Sequence, residues 1–218
     1  MSKLQPIPGR PRGKLPFAPE GWPFIIPTLL LLLLSVALCW WIPAVAAGLL
    51  LAFMVNFFRD PERRTPEGGG LFICPADGKV IRADADESGV YVDIFMNVFD
   101  VHVNRAPMSG RITHMQYFPG NFINASFEHA GEENERNRFE MATEDGGRIA
   151  FTQIAGLVAR RIVSYVAVGD QVRAGQRIGM IRFGSRVNCE IPAGYELCVK
   201  PGDKVVAGKS IIARKAGA

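Results

Sequence analysis

Between Phe24 and Phe58 the chain runs for 35 residues without a charged side chain, and positions 29 to 34 are all leucine. A helix in the core of a soluble protein does not need such a stretch. Apolar runs beyond about 18 residues read as membrane-embedded. A cleaved signal peptide fits poorly, because the run is too long and Asn56-Phe57-Phe58-Arg59-Asp60 is not a small-residue cleavage site. One straight helix over the whole run would extend roughly 50 Å, well beyond a hydrocarbon core of about 30 Å. Pro43 is the expected break. Arg10, Arg12 and Lys14 precede the run and Arg59, Arg63 and Arg64 follow it. Basic flanks on both sides favour a helical hairpin or re-entrant pair with both ends cytoplasmic, over a single kinked span.

The formal charge of +4 has the same address. Residues 1–23 carry a net +3, residues 24–58 carry none, and the remaining 160 residues carry +1. Basicity next to an apolar segment suits an anionic membrane surface, and it argues against a nucleic-acid partner. With 48% hydrophobic and 21% charged residues the chain is not disordered. Four scattered cysteines, no C-x-x-C pair and three histidines exclude a disulfide scaffold and a zinc finger, so no metal site is expected.

The expected organisation is a basic tail (1–23), a membrane segment (24–58), a linker (59–70) ending in Gly68-Gly69-Gly70, and a β domain (71–218). Residues 90–96 are β-branched and aromatic, and 111–118 alternate loosely. Segments 139–143 and 148–154 flank Glu144-Asp145-Gly146-Gly147, a hairpin signal. Further strands are expected at 162–168, 177–183, 189–191, 196–200 and 210–214. A short helix is expected near 125–137, with Glu128, Glu132 and Glu133 suiting its first turns. The fold class is therefore mainly β (α+β), with a sandwich- or barrel-like domain after the hydrophobic hairpin.

One repeat stands out. The pattern G-D-x-V-x-A-G occurs from Gly169 to Gly175 and again from Gly202 to Gly208. Two such units suggest half-motifs packed about a pseudo-twofold, as in biotinyl and lipoyl carriers. A carrier or membrane-tethered adaptor is thus one reading. It lacks an acceptor, because no Lys lies between Lys79 and Lys200.

After the first copy comes Phe183-Gly184-Ser185-Arg186. Gly-Ser is by itself a common turn dipeptide. A serine nucleophile needs a base and an orienting partner. Asp100 and His102 are two residues apart, so in a strand they share a face. A lipid serine hydrolase built on Ser185, His102 and Asp100 is the second alternative, although the G-x-S-x-G elbow is missing. His129 lies among acidic residues and is the runner-up base.

The whole set of pieces resembles the phosphatidylserine decarboxylase family in its shorter, bacterial-type form. The pieces, in order, begin with Phe57-Phe58-Arg59-Asp60-Pro61 and Pro75-Ala76-Asp77-Gly78-Lys79-Val80. They continue through Phe95-Met96-Asn97-Val98-Phe99 and Val101-His102-Val103-Asn104-Arg105-Ala106-Pro107 to Glu132-Glu133-Asn134-Glu135-Arg136-Asn137. The last are Gln153-Ile154-Ala155-Gly156-Leu157-Val158-Ala159-Arg160-Arg161 and Ile181-Arg182-Phe183-Gly184-Ser185-Arg186. The resemblance implies a self-processing enzyme at the cytoplasmic face of the cell membrane. Ser185 attacks the Gly184 carbonyl, and elimination then splits the chain into residues 1–184 and 185–218, which stay together as a heterodimer or within a higher oligomer. Ser185 becomes a pyruvoyl cofactor. Its ketone forms a Schiff base with phosphatidylserine and accepts electrons as CO₂ leaves, yielding phosphatidylethanolamine. His102 is the implied base, oriented by Asp100. Arg105 and Arg186 are candidates to meet the substrate's anionic groups. His129 stands where these shorter members often carry Lys, so the resemblance transfers no role to it.

Overall fold

The computed structural model describes residues 16–127, 129–157, 161–182 and 184–217. The basic tail is therefore described only from Pro16. Glu128, residues 158–160 and Phe183, which belong to the expected helix and motifs, lie outside the described residues.

The chain divides into two compact units, the first spanning residues 11–62. It is a hairpin of α1 (Trp22–Ala37) and α2 (Trp41–Phe57). The reversal falls at Leu38, Cys39 and Trp40, ahead of the expected Pro43, with Cys39 left-handed at φ 55°. Pro43 instead sits in the first turn of α2, where no intrahelical donor is required. The buried positions of the two helices are mostly small: Thr28 and Ser35 on α1, Ala44 and Ala47 on α2. Small residues let backbones approach closely. The base of the hairpin is tied by a bridge between Phe17 and Arg59, and by Asp60 N–H donating to the Pro16 carbonyl at 2.7 Å. Both ends thus leave from one side. The outer surface is apolar throughout, with Leu30 60% and Ile42 86% exposed.

The second unit begins at Arg63. Its strands are β1 (Leu71–Ile73), β2 (Gly78–Asp86), β3 (Gly89–Met96), β4 (Val103–Arg105) and β5 (Gly110–Phe118). The single-turn α3 (Ala130–Glu133) precedes β6 (Arg136–Thr143), β7 (Arg148–Ala155), β8 (Ile162–Ser164), β9 (Gln171–Val172) and β10 (Arg177–Ile181). Then come β11 (Ser185–Pro192), β12 (Tyr195–Leu197), β13 (Lys204–Val205) and β14 (Ile211–Lys215). An antiparallel eight-stranded sheet runs in the order β13-β2-β3-β11-β7-β6-β5-β9, and two three-stranded sheets run β1-β14-β12 and β4-β10-β8.

These orders are two copies of one seven-stranded plan. A split half holds β1 to β3 and β11 to β14. An inserted half, β4 to β10, interrupts it between β3 and β11. The repeated G-D-x-V-x-A-G segments carry β9 and β13, the two edge strands of the large sheet. In each copy the aspartate accepts an amide three residues back, Asp170 from Ala167 at 2.9 Å and Asp203 from Lys200 at 3.0 Å. Such turns are a common use of a short carboxylate.

The core lies between the sheets. Phe139 and Phe151, both fully buried, stack with ring centroids 4.8 Å apart. All four cysteines are free thiols. Burial pushes the Cys74 thiol up to about 12. Two expectations change. The helix near 125–137 shrinks to one turn, because residues from 136 onward pair with β5 and β7. Ser185 does not occupy a turn. It opens β11, paired on both sides.

Candidate functional site

The site forms where the chain crosses between halves. On the way out of β3, an Asx-type turn is closed by Asn97 N–H donating to the Asp100 carboxylate at 2.8 Å. Phe99 N–H donates to Asn97 Oδ1 at 2.9 Å. The turn delivers His102, which is fully buried. Its Nδ1 lies 2.9 Å from the Asp100 carbonyl oxygen, and its Nε2 accepts the Gly184 N–H at 3.3 Å. These contacts assign the Nδ1–H tautomer and leave the lone pair on Nε2, the form a general base needs. The main-chain carbonyl of Asp100 is thus one group that orients the ring.

On the way back, Gly184 adopts φ +71° and Ser185 begins β11 opposite Met96 and Ala155. Ser185 is fully buried, and its Oγ donates to Met96 Sδ at 3.3 Å. A left-handed residue before a regular strand is a position that glycine takes without steric cost. The Gly184 carbonyl is packed against Gly156, where any Cβ would come within 2.4 Å of that oxygen. Asn134, also fully buried, donates to the carbonyls of Ala155 at 2.7 Å and Ile123 at 2.8 Å. It fixes the segment beside the strand that receives Ser185.

The structure therefore brings His102, Gly184 and Ser185 together. The two arginines are placed otherwise. Arg105 is buried and donates to the Gly175 carbonyl at 2.9 Å, with Gly208 close against its Cδ. It ties the last glycines of the two repeats together. Arg186 is buried and faces away from Ser185, since successive strand residues alternate. It donates to Asn188 Oδ1 at 2.6 Å and the Phe127 carbonyl at 3.1 Å, and it meets Asp93 at 3.4 Å. Burial lifts the Asp93 carboxyl, and Arg186 opposes that shift. Both arginines are thus buried and make internal hydrogen bonds. His129 is exposed just before α3, its ring stacked on Phe127 at 5.6 Å. Among the described residues, no group of three or more His, Cys, Asp and Glu side chains could hold a metal ion.

Sequence reasoning did not single out Met96, Asn104, Asn134, Gln153 or Gly156 for the site. All five lie inside segments that carried the family resemblance, but their contacts depend on strand register.

The chain matches the phosphatidylserine decarboxylase family model over residues 50–213. Phosphatidylserine decarboxylase proenzymes are similar across most of its length. The one from Symbiobacterium thermophilum is 46% identical over 204 residues, covering 90% of this chain and 94% of that protein. The one from Nitratidesulfovibrio vulgaris is 48% identical over 204 residues, with the same coverage. The one from Burkholderia ambifaria is 44% identical over 202 residues, again covering 90% and 94%. A family match over well over half the chain, with relatives at this identity and a buried Gly-Ser crossing at the site, shows that the chain belongs to the phosphatidylserine decarboxylase family.

Proposed function

We propose that this protein decarboxylates phosphatidylserine to phosphatidylethanolamine, using a pyruvoyl group that it makes from its own Ser185. The observation that carries the reading is the Gly184–Ser185 crossing. Its serine is buried, its glycine is left-handed, and a neutral imidazole sits against the Gly184 amide. Ser185 Oγ gives its proton to His102 and attacks the Gly184 carbonyl. The C–N bond breaks, the amine takes the proton, and an ester replaces the amide. Elimination then cuts the chain into residues 1–184 and 185–218. Water converts the new N-terminus to a ketone and releases ammonia. The pyruvoyl group so formed supplies a ketone that reacts with the substrate's amine and an electron sink for CO₂ release. The chain's own residues hold that group at the start of a central strand.

The hairpin fits a lipid substrate. Its apolar surface is larger than a soluble protein leaves uncovered. Helices of 16 and 17 residues extend about 25 Å, short of the roughly 30 Å hydrocarbon core. We read it as a shallow hairpin entering from the cytoplasmic face of the cell membrane, with Trp40 and Trp41 at its turn. Arg59, at the base of the hairpin, remains near anionic headgroups, favoured by up to about 1 kcal/mol.

Intact mass of the purified protein tests the reading. The expected result is two chains divided between Gly184 and Ser185, the smaller blocked at its N-terminus. Ser185→Ala should leave one 218-residue chain with no decarboxylation. A wild-type chain that stays whole while active, or an active Ser185→Ala variant, would overturn it.

A further inference from the structure

Under Ser185 lies a buried pair of carboxamides. Gln153 Nε2 donates to Asn104 Oδ1 at 2.7 Å, and the two residues are 0% and 1% exposed. Register places Gln153 on the same sheet face as Ser185, because Ser185 pairs with Ala155 and Gln153 lies two residues earlier on β7. Asn104 arrives from β4, two residues after His102. Its Nδ2 meets Met96 Sδ at 3.7 Å, and Ser185 Oγ lies 3.3 Å from the same sulfur. A thioether is a weak acceptor. Gln153 Oε1 has no hydrogen-bond partner among the described residues. Burying two amides with weakly used polar atoms costs stability that an apolar pair would not. An oxygen beside that sulfur that becomes negatively charged offers the Asn104 donor a stronger acceptor than the thioether.

We infer that Asn104 Nδ2 donates a hydrogen bond to Ser185 Oγ as that oxygen leaves in the chain-cutting elimination, with Gln153 positioning the carboxamide. This role rests on the self-cleavage proposed above. In the elimination the Oγ–Cβ bond of Ser185 breaks, and its electron pair departs on Oγ, which is then part of the Gly184 carboxylate. The proton on Cα goes to His102, and the Cα–H electron pair becomes the Cα=Cβ bond. Charge therefore develops on Oγ in a buried site, where a preorganised donor acts most strongly.

The test follows freshly synthesised full-length chain with and without hydroxylamine, by intact mass. Asn104→Leu should cleave at least about 100-fold more slowly, the scale of losing one such donor. It should also accumulate the ester. Hydroxylamine would split that ester into a Gly184 hydroxamate and a 185–218 chain that keeps its N-terminal serine. Asn104→Asp preserves shape and the bond from Gln153 but lacks the donor at neutral pH. It should accumulate the same ester, and its cleavage should recover as falling pH protonates the new carboxyl. Gln153→Leu should show the same ester to a smaller extent. Asn104→Leu cleaving at the wild-type rate would overturn the role. So would slow cleavage of both Asn104 variants without trapped ester, because a packing defect slows both steps. Wild-type chain that stays whole would overturn the cleavage reading itself.

Discussion

The split half and the inserted half share one plan but differ at one place. In the inserted half, β6 turns directly into β7 through Glu144 to Gly147, with Asp145 accepting from the Thr143 hydroxyl at 2.5 Å. In the split half the same position, between β3 and β11, is where the chain leaves and returns. The match extends to the turns behind each sheet. Ala207 N–H donates to Asp77 at 2.8 Å, and its counterpart Ala174 N–H donates to Ser109 at 3.0 Å. Gly208 N–H reaches the Cys74 carbonyl at 2.9 Å, and Gly175 N–H reaches that of Ala106 at 2.8 Å. The frame is thus held by equivalent bonds on both sides. The proposed chemistry occupies the place where the symmetry fails, where the crossing segments put His102 against Gly184.

The largest expected effect removes the chemistry and leaves the frame. His102→Ala should slow chain cleavage by at least about 100-fold, the scale of losing a general base, with the sheets intact by circular dichroism. Cleavage at the wild-type rate would separate the crossing from the reaction. Next come the paired turns. Asp77 also meets Arg63 at 2.9 Å, with side chains only 13% and 8% exposed, whereas Ser109 makes a neutral bond. In a Ser185→Ala background, Asp77→Ala should cost about 3 kcal/mol in denaturant unfolding. Ser109→Ala should cost about 1 kcal/mol. Equal costs would mean the Arg63 pair adds nothing to the split half.

A third comparison uses the repeats' last glycines. Gly175 and Gly208 have φ +76° and +71°, and added Cβ atoms would meet Thr65 Oγ1 at 1.9 Å and Arg105 Cδ at 2.8 Å. Each glycine-to-alanine change should cost roughly 1–3 kcal/mol, and a neutral result at either would break the equivalence. The smallest effect concerns Asp145, whose carboxylate also meets Lys215 of β14 at 3.1 Å and so links the halves. The Thr143 hydroxyl, then Lys215, hold it below the ordinary value of 3.8. A depressed carboxyl stabilises the fold above its unfolded pKa, and that contribution is lost as pH falls through the lower folded value. Asp145→Asn should therefore lower Tm slightly at pH 7, with the difference fading below about pH 4. A pH-independent difference would remove the charge from the explanation.

Much of this was legible in the sequence. The hairpin announced itself through an uncharged run too long for a soluble core. The repeat was visible because its letters recur. Its partner duplication was not, since Cys74-Pro75-Ala76-Asp77-Gly78 and Ala106-Pro107-Met108-Ser109-Gly110 share only Pro and Gly. Scarcity drew attention to His102 among three histidines. Asn104 and Gln153 gave no such signal, because an amide in a strand becomes special only once register sets what lies opposite. Arg105 and Arg186 drew attention by their charge, and the fold buries both, with the Gly175 carbonyl, the Phe127 carbonyl, Asn188 and Asp93 among their partners.

β11 is in register with β3 along its full length on one side and with β7 from Ser185 to Glu190 on the other. If the bond before Ser185 is cut as proposed, this central strand, with β12, β13 and β14, becomes the property of a separate 34-residue chain. The precursor can unfold and refold as a unimolecular event at any dilution. The processed enzyme unfolds by dissociation, so its midpoint should rise with protein concentration, as a dimer's does. The instructions for finding the right strand pairing reside in the uncut chain, which makes maturation a step that folding must precede.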